Sequence, residues 1–160
     1  MPKPCYLTLK GPTVGDIKGS NNITGHEEEI PVRAIEHTIE IPRNPQTGTP
    51  TGQRIHLPIT LTKEIDKASP LLFQALTTGE EMEHVTLAYY RGSGKGKDEK
   101  YYTVVLGNAV ITSIRTWMPD RELDANKTMG HMEDVSFAYS SIKWCYEKGG
   151  ITTEDKWMTA

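Results

Sequence analysis

At 160 residues the chain is long enough to bury one sizeable hydrophobic core and too short to divide comfortably into two domains, so residues 1–160 read as a single domain. With 36% hydrophobic and 24% charged residues it has an ordinary soluble composition, and no apolar run approaches the roughly 20 residues of a membrane-spanning helix. Its 18 Lys and Arg against 21 Asp and Glu give a net charge of -3, without the basic excess that a phosphate backbone demands, which sets nucleic acid and membrane insertion aside.

The first residues, Met1-Pro2-Lys3-Pro4-Cys5-Tyr6-Leu7-Thr8, lack the apolar h-region and small-residue cleavage site of a signal peptide. Folding in the cytoplasm is expected, with any export performed by another machine and without a cleaved signal. Cys5 and Cys145 lie far apart, form no Cys-x-x-Cys pair, and read as small half-buried side chains.

A first strand is predicted over Tyr6–Lys10. A longer one, Glu29–Ile41, alternates through Ile30, Val32 and Ala34, then through Ile35, His37, Ile39 and Ile41 on the opposite phase, which a bulge near Ala34 explains. The segment Pro42–Gln53 that follows is longer than the about two to five residues of a simple hairpin loop, and loops of that length usually have a task. The next strand, Arg54–Leu61, is the cleanest: Ile55, Leu57, Ile59 and Leu61 share the apolar face, and Arg54, His56, Pro58 and Thr60 the other. Pro58 places it at an edge or a bulge.

The single helix signal runs from Ser69, read as the N-cap, through Pro70 at the first position and the stripe Leu71, Leu72, Ala75 and Leu76, to Gly79. Strands follow over Val85–Tyr90, Tyr101–Leu106, Ala109–Trp117 and Val135–Trp144, with a charged and polar loop from Met118 to His131. The architecture is therefore mainly β. Tyr101–Leu106 and Val135–Trp144 carry apolar residues on both faces, and the second face needs a helix, a loop or another subunit to cover it.

Catalytic chemistry finds little support. The run Gly92-Ser93-Gly94-Lys95-Gly96-Lys97 lacks phosphate-loop spacing and a helix behind it, and reads as a hairpin tip. The five histidines are scattered, and His131-Met132-Glu133 has no Pro-Cys-x-x-Cys partner, so no metal site is expected. The acidic run Glu27-Glu28-Glu29 beside His26 reads as a solvated face. There is no Gly-x-Ser-x-Gly elbow. His37, on a mostly apolar face, reads as a hydrogen-bonded core or lumen-lining side chain. No catalytic residue and no cofactor are assigned.

The segments Gly25-His26-Glu27-Glu28-Glu29-Ile30-Pro31-Val32, Pro45-Gln46-Thr47-Gly48 with Thr51-Gly52-Gln53-Arg54-Ile55-His56, and Thr62-Lys63-Glu64-Ile65-Asp66-Lys67-Ala68-Ser69-Pro70-Leu71-Leu72 resemble those of hemolysin-coregulated proteins (Hcp), the tube subunits of type VI secretion. So do Gly79-Glu80, Tyr89-Tyr90-Arg91, Tyr101-Tyr102-Thr103, Met118-Pro119, His131-Met132-Glu133-Asp134-Val135-Ser136-Phe137 and Ile142-Lys143-Trp144. The resemblance runs in order from Pro4 to about Trp157.

It implies a two-sheet β-barrel flanked by one α-helix, similar to phage tail tubes. Subunits would close head to tail into hexameric rings that stack into a tube, expelled with a sheath, a spike and small effector proteins as partners. The chain ends at Ala160 without a fused toxin domain, so cargo would be held non-covalently. The doubly apolar strands would supply one contact surface, and the loop residues Arg43, Asn44, Gln46, Thr47, Gly48 and Thr49 are assigned to the other. The alternative is an effector-carrying module that acts apart from the tube.

Overall fold

The computed structural model describes residues 3–157. Two sheets share one hydrophobic core. The larger has seven strands, β1 (Cys5–Gly11), β2 (Gly15–Ile17), β3 (Ile30–Pro31), β9 (His84–Gly92), β10 (Asp98–Gly107), β13 (Ser141–Tyr146) and β14 (Ile151–Lys156), in the order β14-β13-β10-β9-β1-β2 with β3 also on β1. The smaller has five, β4 (Ala34–Glu36), β7 (Ile59–Glu64), β8 (Glu81–Met82), β11 (Ala109–Trp117) and β12 (Met132–Ala138), in the order β4-β7-β12-β11-β8. A separate two-stranded ribbon is made by β5 (Ile39–Glu40) and β6 (Ile55–His56). The sheets pack face to face and do not close by hydrogen bonding into one barrel.

The core follows the alternation of the strands. Leu7, Leu87 and Val104 lie across neighbouring strands of the larger sheet, and Ile59 and Leu61 stand opposite Phe137 and Val135 in the smaller. A bulge between Ile111 and Ser113 resets β11, so that Ile111 faces Phe137 and Ile114 faces Val135 on the same side. The helix α1 (Ser69–Thr78) packs against β11 and buries Leu72 and Ala75.

Three expectations are corrected here. The predicted strand over Glu29–Ile41 is not one bulged strand but β3, β4 and β5, each in a different sheet. The switch takes one residue: the Val32 amide donates to Cys5 of the larger sheet and the Arg33 amide to Thr62 of the smaller, after Pro31 has removed a donor. The predicted strand Val135–Trp144 is likewise two, β12 and β13. Val135, Phe137 and Ile142 all point into the core, because the turn between the strands resets the phase, so this segment has no second apolar face to cover.

The helix bounds match the prediction, but Ser69 is not its cap. The N-cap position is Ala68, with no side-chain cap, and the Ala68 amide donates to Asp66 Oδ1. The Ser69 hydroxyl instead donates to the buried carboxylate of Glu133 at 2.7 Å. Gly79 ends the helix in the left-handed conformation at φ 67, and the Glu80 amide returns to the Ala75 carbonyl in a Schellman arrangement. No helix is long and apolar enough to cross a membrane among the described residues.

Candidate assembly interface

The segment Pro42–Gln53 is an ordered β-arm, not a slack loop. Beyond β5 and β6 the two sides meet again at a bridge between Arg43 and Pro50, and the Thr51 amide donates to the Pro42 carbonyl at 2.8 Å. At the tip, Asn44 Oδ1 accepts the amides of Gln46 and Thr47 at 2.8 and 3.4 Å, and the Gly48 amide closes onto the Asn44 carbonyl. Gly48 sits at φ 73, where a side chain would be strained, and this lets the chain reverse. Pro42, Pro45 and Pro50 restrict the unfolded segment, so less entropy is lost in ordering it.

The six residues assigned from sequence all lie at this tip. Asn44, however, builds the turn with its side chain, and the Thr47 hydroxyl donates to Thr49. Arg43 and Gln46 make no side-chain hydrogen bond or ion pair among the described residues, and Asn44 engages only its Oδ1.

The shaft carries a feature that the sequence alone hides. Ile39 pairs with His56 and Glu40 with Ile55, so Ile39 and Ile41 extend along the face that carries His56 and Arg54, while Ile55 and Leu57 lie on the opposite face. Ile39, Ile41, Ile55 and Leu57 are 38%, 54%, 40% and 40% exposed. The expected apolar face of Arg54–Leu61 is therefore divided. Ile59 and Leu61 are in the core, and the inward phase slips across Leu57-Pro58, so that His56 points in and Ile55 and Leu57 point out. Alternating apolar residues look the same in a sequence whether their partner is the chain's own core or another surface.

The arm is fixed at its root. His56, 5% exposed, stacks on Trp157 with ring centroids 4.9 Å apart. Its Nε2 lies 2.7 Å from Asp155 Oδ2 and its Nδ1 2.8 Å from the Tyr139 hydroxyl, which His37 Nε2 reaches from the other side at 2.6 Å. Arg54 grips both Asp155 oxygens at 2.8 Å, and these bonds, with help from His56, hold the Asp155 carboxyl down at about 2. His37, expected to be a hydrogen-bonded core or lumen residue, is half-buried and hydrogen-bonded; His56, expected on the outer face, is the more deeply buried of the two.

An open cleft of about 410 Å³ at the root is lined by Ile35, Glu36, His37, Thr38, Leu57, Pro58 and Thr60. It gathers no nucleophile beside a base. The remaining histidines do not converge: His26 stacks on Tyr6, and His84 and His131 are exposed.

Residues 6–146 match the sequence profile of the family described as type VI secretion system effector, Hcp. The chain is similar to the major exported protein of Pseudomonas aeruginosa, with 40% identity over 99% of this chain and 98% of that one. Its fold is similar to a crystal structure of an Hcp protein, with a TM-score of 0.92 at 30% identity over 99% of this chain and 100% of the other. It is also similar to the Hcp1 protein of the Escherichia coli EAEC 042 pathovar, with a TM-score of 0.86 at 36% identity over 97% and 99%.

Proposed function

The chain belongs to the Hcp family of the type VI secretion system, and from that premise we propose that it builds hexameric rings that stack into the inner tube and are expelled with effector cargo. The family is one of exported structural tube proteins and not of enzymes, and this chain is of that kind. On this reading the chain acts as one tube domain. It assembles in the cytoplasm, leaves the cell without a cleaved signal, and meets a sheath, a spike and small effector proteins on the way.

The observation that carries the reading is the arm. A two-stranded ribbon that is hydrogen-bonded at its tip, anchored at its root and bears exposed aliphatic side chains on both faces leaves four large apolar groups wet, which favours a covering partner. Each face needs its own cover. A heterologous contact that closes makes a ring and one that does not close makes a filament, and an arm with two sticky faces and a polar tip serves both. Arg43, Asn44, Gln46, Thr47, Gly48 and Thr49 make the polar end of this interface, with Asn44 and Gly48 shaping it and Arg43 and Gln46 touching the neighbour.

Replacing Pro42–Gln53 with a tight turn, with Ile41 and Arg54 kept as the strand ends, tests this. The expected result is a folded protein whose far-ultraviolet circular dichroism is unchanged, with rings or stacks missing from negative-stain images and secretion lost. Normal tubes and normal secretion from the shortened chain would remove the tip of the arm from assembly.

A further inference from the structure

The hydrogen bonds at the root of the arm form a chain whose direction is set at one end. Asp155, ionised and gripped by Arg54, can only accept, so Nε2 of His56 donates to it. With His56 neutral, its bare Nδ1 takes the hydrogen of the Tyr139 hydroxyl, and the Tyr139 oxygen accepts from Nε2 of His37. Burial, with the charge of Asp155 second, raises the Tyr139 phenol, so it keeps its proton.

This chain has room for one added proton. If His37 takes it on Nδ1, no bond changes. If His56 takes it, Tyr139 turns its hydrogen toward His37, which shifts tautomer, and every link survives in reverse. A second proton finds no such arrangement. Both rings then aim an N–H at the one Tyr139 oxygen, two positive rings face each other across it, and the hydroxyl hydrogen of a side chain 2% exposed has no partner.

We propose that the His37, Tyr139, His56 and Asp155 chain is a proton-operated lock that docks the first strand of the arm while at most one histidine is charged and releases it when both are. The proposal rests on the reading of the arm as an assembly element, because it makes ring contacts formed at neutral pH loosen in mild acid. The charged groups around the lock are Asp155 and Arg54 on the His56 side and Glu36, which shares the root cleft with His37. Of these, only Asp155 hydrogen-bonds to either ring. Burial first, and the charge of His56 second, lower the His37 value from 6.5. A depressed value on a base means that docking favours the neutral ring. Docking is therefore complete above the ordinary histidine range and weakens as pH falls through the lowered value.

Hydrogen exchange on the full chain, corrected for intrinsic rates, reads the lock directly at the inward amides of the ribbon, those of Glu40, Ile55 and Leu57. Between about pH 7.5 and about pH 5, protection there is expected to fall about tenfold while the core strands keep theirs. Tyr139→Phe, which keeps the ring and removes the hydroxyl, is expected to exchange fast at both ends of the range. His37→Gln keeps an N–H donor and cannot titrate, and its arm is expected to stay protected in acid. Wild-type protection that does not change with pH, or a His37→Gln protein that responds like wild type, would overturn the lock. A pH-dependent arm on a protein whose ring formation ignores pH would keep the lock and refute the assembly reading. Loss of rings on shortening the arm, with no pH response, would do the reverse.

Discussion

Lys63 and Glu133 stand opposite each other on β7 and β12, on the inward phase that Ile59, Leu61, Val135 and Phe137 also occupy, and are 1% and 0% exposed. The Lys63 ammonium bonds to Glu133 Oε1, to Asp66 Oδ1 at 3.1 Å and to the Glu64 carbonyl at 2.8 Å, and Ser69 adds a hydroxyl to the same Glu133 oxygen. Glu133 Oε2 has no hydrogen-bond partner among the described residues. Removing one member leaves the other charged and buried, so Lys63→Ala is expected to cost about 3–5 kcal/mol in urea unfolding. Replacing the pair with apolar residues of similar volume, Lys63→Met with Glu133→Leu, removes both desolvation penalties and is expected to be neutral or stabilising by about 1–4 kcal/mol. Equal losses from the single and the double change would show that the charges themselves support the fold. The pair was not legible in the sequence, since the predicted strands stop at Leu61 and start at Val135 and leave both residues outside them.

At the scale of elements, the arm separates folding from assembly. Ile41 is 54% exposed in the single chain, so Ile41→Asp is expected to change unfolding stability by no more than about 0.5 kcal/mol. In a ring the same change buries an unpaired carboxylate against apolar surface, and sedimentation should show free subunits at concentrations where the parent chain assembles. An Ile41→Asp protein that sediments like the parent would mean that this face stays in water. The length of the arm and its proline and glycine punctuation were readable from the sequence; the ribbon, with its two exposed apolar faces, was not. The strand β14 was missed for a related reason. Ile151-Thr152-Thr153-Glu154-Asp155-Lys156 is an exposed edge strand without an apolar alternation to mark it.

For the whole molecule, β14 ties the end of the described chain to the arm through Asp155, which receives Arg54 and His56. Hydrogen bonds from Arg54 lower its carboxyl from 3.8 to about 2, which favours the charged form in the folded protein. A depressed acid contributes stability that is present above its unfolded value and is lost as pH falls through the folded one. Asp155→Asn is therefore expected to lower the urea midpoint near pH 6 and to flatten its decline from about pH 4 to about pH 2. The effect is modest, because the Asp155 side chain is 29% exposed and solvent screens the pair. If the variant and the parent lose stability in parallel over that window, Asp155 does not link the arm to the larger sheet. This window lies well below the histidine range, so the two titrations can be read separately.

The sequence by itself determined the β class, the helix from Ser69 to Thr78 with its glycine stop, and, through ordered motifs along nearly the whole chain, the family. These are local properties or patterns carried residue by residue, and period two, Pro70 and Gly79 act whatever lies beyond them. Only the tertiary structure decided where Glu29–Ile41 breaks among three sheets, that Lys63 and Glu133 meet in the core, and which isoleucines stay wet. Each of those outcomes depends on which strand lies opposite. Arg33 joins the smaller sheet because Thr62 offers a carbonyl, and His56 turns inward because Tyr139, Asp155 and Trp157, about 80 to 100 residues away in sequence, close around it.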